Sequence, residues 1–251
     1  VKISVITVCF NSVATLRATL ESVSAQRGCE FEHIVVDGGS TDGTLALIEA
    51  WRGHPIRFVP GPDRGIYDAM NKGIAAATGD VVGFLNADDR YANDQALASV
   101  AAAMADPSTD CCQADLVFVD AASRKVLRYW RSAEFERRRF VFGWLPAHPT
   151  LYVRRDVFAS VGAFSLAYRV AADVEWMIRL FSRPSLHCVY IPRVLVAMDS
   201  GGVSNAGAGA FLRANRDVWR ACRALGVAPA PFVIGKTARK LPQWWRRLRA
   251  A

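Results

Sequence analysis

Over roughly its first two-thirds the chain alternates short β-branched runs with amphipathic helical ones, and each apolar run breaks at a polar or glycine-rich turn. ISVITVCF, FEHIVVDGG, IRFVP and DVVGFLNADD carry the strand signal. Between them, helical spacing places Val13, Leu16, Leu20 and Val23 on one face, LALIEAW in a second helix, and Ile66, Met70 and Ile74 on a third. Strand–helix alternation of this kind predicts an α/β fold in which a largely parallel sheet is covered by helices. Asn11-Ser12 reads as the start of the first helix, Ser40, Thr41 and Asp42 as caps of the second, and Gly79 as the end of the third.

Further along, a helix is expected near 94–105, a strand at LVFVD and an antiparallel strand at VLRYWRS. RRRFVFGWLPAHP reads as a long loop and TLYV as a strand. DVEWMIRLF reads as a helix, HCVYIPRVLVAM as extended, and 206–224 as a further helix. There is no internal repeat and no linker that divides the chain. A length of 251 residues, 52% hydrophobic and 22% charged, suits one α/β domain, alone or with an appendage.

In open parallel sheets a ligand sits outside the carboxyl ends of the strands. This sequence places Phe10 and Asn11, Asp37, Asp63 and Arg64, then Asn86, Asp88 and Asp89 at those ends. Asp37 precedes two glycines, so it reads either as a turn aspartate or as an acceptor for a ribose hydroxyl or base N–H. Arg64 stands before a helix start that suits phosphate oxygens, and equally reads as an exposed loop arginine. Asp88 and Asp89 offer hard oxygen ligands for Mg²⁺ or Mn²⁺, or else a solvated turn.

VCFN, VVDGGSTDGT, DRGIYDAMNKG and FLNADD, in that order, resemble the family 2 glycosyltransferases of the GT-A fold, bacterial enzymes that build lipopolysaccharide, capsule and glycolipid sugars. The resemblance covers roughly residues 3–205. It implies a Rossmann-like mixed sheet of mainly parallel strands flanked by helices, with a C-terminal acceptor-side extension. Within one domain, 1–120 would bind the nucleotide sugar and 121–205 the acceptor, with 206–251 forming a helix and basic tail. The implied activity is inverting transfer of a sugar from a UDP- or GDP-linked donor to a hydroxyl of a lipid-linked or glycan acceptor.

Carried over by motif, Val8, Phe10 and Asn11 line the base pocket, Asp37 holds base or ribose, and Asp63 and Arg64 lie beside the nucleotide and diphosphate. FLNADD matches the metal-binding DXD motif, with Asn86 first and Asp88 last. Asn86 departs from the usual aspartate and removes one charge from the site, while Asp89 either compensates or fixes the loop. In VAADVEWMIRL, Asp173 stands where the family places the base that deprotonates the acceptor, with Glu175 as alternate. A helix starting at 173 would instead make Asp173 an N-cap. His148, in WLPAHPTLYV, reads as a contact to acceptor, diphosphate or metal, or as structural; DSGGVSN resembles the loop that closes over the donor. His33 and His54 read as ordinary surface or packing residues.

Two other readings compete. A sugar-phosphate nucleotidyltransferase would want a glycine-rich first loop, which VITVCFNS lacks. A non-catalytic nucleic-acid-binding protein is raised by the net charge of +8, but the basic residues gather at the C-terminus, away from the acidic strand ends, so nucleic acid is not an expected partner. KTARKLPQWWRRLRAA holds six basic residues, no acidic one, and Trp244, Trp245 and Leu248. It reads as a contact to an anionic membrane surface or as a frayed tail. With unpaired cysteine spacing, no secretory signal and no apolar run of ~18 residues, the expected location is cytoplasmic, soluble or peripheral on the inner face of the plasma membrane.

Overall fold

A computed structural model describes residues 1–199 and 207–239. Four strands, β1 (Lys2–Cys9), β2 (Glu30–Asp37), β3 (Ile56–Val59) and β4 (Val81–Phe84), pair in parallel in the order β3-β2-β1-β4. Helices α1 (Leu16–Ser24), α2 (Thr44–Glu49) and α3 (Ile66–Ala76) make the crossovers. The strand alternation of β1 divides the core: Ile6 and Val8 face one apolar cluster, Ile3 and Val5 the other. Burial on both faces is what a central parallel strand requires.

Beyond β4 the chain forms β5 (Asp89–Tyr91), α4 (Ala96–Ala103), β6 (Cys111–Val119), β7 (Val126–Trp130), α5 (Arg137–Val141), a 3-10 turn at His148–Thr150, β8 (Tyr152–Arg154), α6 (Arg155–Val161), α7 (Ala172–Phe181), β9 (Cys188–Asp199), α8 (Gly207–Ala224) and α9 (Pro229–Ala238). The sheet continues β4-β8-β6-β9-β5, with β7 as an antiparallel partner of β6. Because β8 inserts between β4 and β6, segments from both halves of the sequence share one sheet. Only Leu85 to Asp88 separate β4 from β5, so FLNADD bridges two strands that are distant in the sheet order.

Several local expectations change. The first helix starts at Leu16, because Asn11 takes a left-handed φ of 49° and Ser12 opens a turn whose carbonyl accepts from Thr15 and Leu16. Val13 and Ile66 are exposed, and the buried face of α3 is Ala69, Met70 and Gly73. The expected loop at 137–149 contains all of α5 and the start of the 3-10 turn, since Phe140 and Trp144 are pulled into the aromatic core around Phe181. The sequence reading also missed α6 and α9. α6 spans under two turns, and α9 starts at Pro229, a residue that reads as a breaker but suits a first helical position.

Candidate active site

The carboxyl ends of β1, β2 and the β3–α3 loop interlock through hydrogen bonds. Asn11 donates its backbone N–H to Ser40 Oγ at 2.8 Å, and its Oδ1 accepts from Thr41 N at 2.9 Å. Asp37 is buried; its Oδ1 accepts from Gly39 N (2.9 Å) and Ser40 N (2.8 Å), while Oδ2 accepts from Ser40 Oγ. Those bonds are the turn arrangement anticipated for an aspartate before Gly-Gly. Burial, followed by the Asp37 charge, pushes the neighbouring Cys9 thiol far up, so it stays protonated. Val8 is buried beneath this rim, whereas Phe10 is 62% exposed above it.

Asp42, not Ser40 or Thr41, serves the start of α2, accepting from Thr44 N at 3.0 Å. Asp63 Oδ1 accepts from Gly65 N at 2.8 Å, and its other oxygen lies where a Cβ on Gly38 would sit. Gly38 therefore permits the β2 end and the β3–α3 loop to meet. Arg64 is tied to the first turn of α3: its N–H donates to Asp68 Oδ2 at 3.0 Å and its guanidinium to Oδ1 at 3.2 Å. Those two contacts hold Asp68 below the usual carboxylate range.

The two aspartates of FLNADD have different environments. Asp89 is fully buried; Asn86 Nδ2 donates to its Oδ2 at 3.2 Å, and Thr19 Oγ1 donates to its backbone carbonyl at 2.8 Å. Burial and then the Asp88 charge push its carboxyl well above the ordinary range. The expectation of Asp89 as a metal ligand is corrected on this point: a carboxyl enclosed by its own loop fixes that loop and does not face a donor. Asn86 belongs to the same device, although Asn86 Oδ1 and Asp89 Oδ1 are buried without a hydrogen-bond partner.

Asp88 is partly exposed, and its carboxyl is pushed up by burial and by the charge of Asp199 at the end of β9. Asp199 is held by Arg124 and, at 3.5 Å, Arg90. Among the described residues no group of three His, Cys, Asp or Glu side chains forms a metal cage. The donor set still fits a divalent ion bound through Asp88, since a like charge raises that carboxyl and a cation would relieve the repulsion. DSGGVSN begins with Asp199, and its residues 200–205 lie outside the described residues.

Asp173 sits in the second position of α7, with Ala171 in the cap position, so it is not an N-cap. Its Oδ1 accepts from Tyr67 Oη at 2.9 Å. Glu175, two residues on, emerges on the opposite side of the helix; it is buried in a two-pronged pair with Arg179 at 2.8 and 2.9 Å. Glu175 is thereby corrected from alternate base to structural anion. The i,i+4 spacing of Glu175 and Arg179 carried that signal in the sequence.

His148 stacks on Phe84, the last residue of β4, with ring centroids 5.3 Å apart, and meets the Phe164 ring at 5.7 Å. Enclosure lowers its pKa against the opposing pull of Asp173, so the imidazole is neutral at neutral pH. Phe164 is itself clamped by Asn71 of α3 through two 2.9 Å bonds to its backbone. Tyr67 and Asn71, which hold Asp173 and the Phe164 backbone, were left without a role by the sequence, and Asp199 was read there only as part of DSGGVSN. The first two lie inside GIYDAMNKG, a polar run on an otherwise apolar helix. Asp173, His148 and Asp199 all line one cavity of about 520 Å³.

The profile of "Glycosyl transferase family 2" matches residues 4–162. A relative from Mycobacterium bovis, a PGL/p-HBAD biosynthesis glycosyltransferase, is 36% identical over 206 residues, covering 80% of this chain and 78% of its own. Among solved structures, S. aureus TarS 1–349 superposes with a TM-score of 0.73 at 19% identity, covering 99% of this chain and 79% of that one; of a longer TarS chain the match spans 39%. Mannosyltransferase PcManGT from Pyrobaculum calidifontis, in complex with GDP-Man and Mn²⁺, gives 0.66 at 19%, covering 98% and 71%. These matches set aside the nucleotidyltransferase and non-catalytic readings. The chain belongs to glycosyl transferase family 2 and is a glycosyltransferase with a GT-A-type fold.

Proposed function

We propose that the enzyme inverts the anomeric carbon while moving a sugar from a nucleoside-diphosphate donor, UDP- or GDP-linked, to a hydroxyl of a lipid-linked or glycan acceptor. The reading is carried by Asp173, whose carboxylate lines the cavity while Tyr67 orients one of its oxygens. Asp173 takes the proton of the acceptor hydroxyl as that oxygen bonds the anomeric carbon; the bond from that carbon to the diphosphate breaks, and its electron pair leaves with the nucleotide. One displacement of this kind inverts the carbon. His148 lines the same cavity as Asp173 and is neutral at neutral pH.

The donor half is the interlocked rim of Asn11, Asp37, Asp63 and Arg64, with Val8 beneath and Phe10 above. Support for a nucleotide-sugar donor comes from TarS 1–349, solved with UDP-GlcNAc, and from PcManGT, solved with GDP-Man. Asp88 would hold Mg²⁺ or Mn²⁺. When bound, that ion offsets negative charge on the departing diphosphate.

Among the described residues no helix is long and apolar enough to cross a membrane. Peripheral attachment to the inner face of the plasma membrane is supported by α8, whose exposed Leu212 and Trp219 lie among exposed Arg213, Arg216, Arg220 and Arg223. The tail from 240 onward, outside the described residues, would add to it. Deleting 240–251 should reduce co-sedimentation with anionic liposomes; an unchanged bound fraction rejects the tail as an anchor.

Thermal stability with UDP, GDP and their sugars, with and without Mn²⁺, tests the donor. Stabilisation should need a nucleotide, rise with Mn²⁺, and lose the Mn²⁺ increment in Asp88→Ala. No stabilisation by any nucleotide would sink the proposal.

A further inference from the structure

Among the described residues all six cysteines are free, and two of them stand side by side in the sheet. β6 and β9 run parallel, and their first residues, Cys111 and Cys188, are register partners. On its other side Cys111 is paired with Val153 of β8. Side chains at paired positions leave the sheet on the same face. Here that face packs into one apolar cluster, in which Cys111 is fully enclosed and Cys188 is half-buried against it. Cys112 points to the opposite face and belongs to the other cluster, against which Cys29 packs, so Cys188 is the cysteine that β9 presents to Cys111.

Adjacent strands lie about 4.8 Å apart, inside the roughly 4.4–6.8 Å separation of Cα atoms that a disulfide spans. The two thiols already meet: a hydrogen bond with Cys188, and then burial, push the Cys111 thiol well above its ordinary range. Cys188 retains exposure and follows exposed His187, whose carbonyl accepts from Asp110 N at 3.0 Å and Cys111 N at 3.3 Å. Asp110 Oδ2 accepts in turn from His187 N at 2.8 Å, which fixes the strand starts in register. Further along, the β6–β9 register shifts on either side of Asp115. That bulge stands between the cysteines and Asp199, at the other end of β9.

We propose that Cys111 and Cys188 are a modification site, a dithiol that closes reversibly to a disulfide and braces β6 to β9 at the end of β9 opposite Asp199. The inference is independent of the transferase reading. A peroxide is the oxidant. The Cys188 sulfur takes one peroxide oxygen as the O–O bond breaks, giving a sulfenic acid and one water; the Cys111 sulfur then displaces the sulfenic hydroxyl, which leaves with the Cys111 proton as a second water. The thiols lose two electrons and two protons, and one peroxide becomes two waters. An added dithiol reverses the step by exchange and is itself oxidised to a disulfide.

The test treats the folded full chain with hydrogen peroxide and reads non-reducing peptide maps, melting temperature and amide exchange. Wild type should yield a linked Cys111–Cys188 peptide that dithiothreitol separates, and should melt about 5 °C or more higher when oxidised, because the bridge closes a long loop of the unfolded chain. Cys188→Ser, a change at a half-buried position, should abolish both the link and the melting shift. Cys111→Ser should leave Cys188 as a sulfenic acid that dimedone captures. Amide exchange should slow at Gln113 and Val189 and stay unchanged at Met198, beyond the bulge. A wild-type map without this link, a link between other cysteines such as Cys29 and Cys112, or a melting shift that persists in Cys188→Ser would overturn the inference. Slowed exchange at Met198 would overturn the confinement of the brace to the start of β9.

Discussion

Tyr67 Oη donates a 2.9 Å hydrogen bond to Asp173 Oδ1, and so joins α3, which follows β3, to α7, which carries the proposed base. Burial, with the Asp173 charge behind it, pushes the Tyr67 hydroxyl far above its ordinary range, so it remains a donor at every working pH. One oxygen of the carboxylate is thereby oriented, and in the proposed reaction the other takes the proton of the acceptor hydroxyl. Tyr67→Phe should lower kcat about tenfold while leaving the donor KM within twofold, since a positioned base contributes most in the transition state. Steady-state kinetics with the donor varied reads this directly, and an unchanged kcat would refute the positioning role.

Asp173→Asn and Glu175→Gln should part company. The first keeps the fold and nucleotide-induced stabilisation but loses about 100-fold or more in turnover. The second breaks the buried pair with Arg179 and should cost about 1–3 kcal/mol of stability, with turnover per folded molecule largely kept. Melting temperature and single-turnover rate, measured on both variants, separate the roles. Swapped outcomes would reverse the assignment.

Acid should destabilise the protein through His33. Although it reads as an ordinary packing residue, it is enclosed in the sheet with Nε2 2.9 Å from Thr7 Oγ1, and burial lowers its pKa from 6.5 to about 3. The folded chain therefore refuses a proton that the unfolded chain accepts. The contribution is fully present above pH 6.5 and is lost as pH falls towards 3, with a slope of at most about 1.4 kcal/mol per pH unit. Urea titrations between pH 7 and 4 should show a shallower slope for His33→Gln than for wild type, and equal slopes would discard the assignment.

Gly235→Ala should loosen α9, because the added methyl meets the Phe142 carbonyl and backbone cannot swing aside as a side chain can. We expect a loss of about 1–3 kcal/mol and earlier hydrogen exchange in α9 and α5 than in β1. Retained exchange protection in α9 would show that the backbone relaxes without cost.

The parallel core and the polar strand ends were legible because their signals are local. Period-two apolar runs, helical spacing and breaks such as DGGS are written within a few residues of one another. The pairing of Glu175 with Arg179 was equally local, and an i,i+4 reading would have removed Glu175 from the candidate bases. The 3-10 turn and the short helices within and after RRRFVFGWLPAHP were not legible, since their helical state depends on Phe140 and Trp144 finding the ring of Phe181 about 40 residues away.

The sequence by itself determined the α/β class, the order of the first four strands along the chain, and the polar residues gathered at their carboxyl ends. Tertiary structure decided which of those residues face a ligand. Asp88 and Asp89 are chemically identical neighbours, yet pairing of β5 with β9 buries the second and leaves the first partly exposed near Asp199. Tyr67 and Asp173 are separated by 106 residues, and only the packing of α3 near α7 makes them one device. Local signals specify backbone state, because torsions and adjacent side chains set it; the environment of a carboxylate depends on charges and surfaces contributed by distant segments.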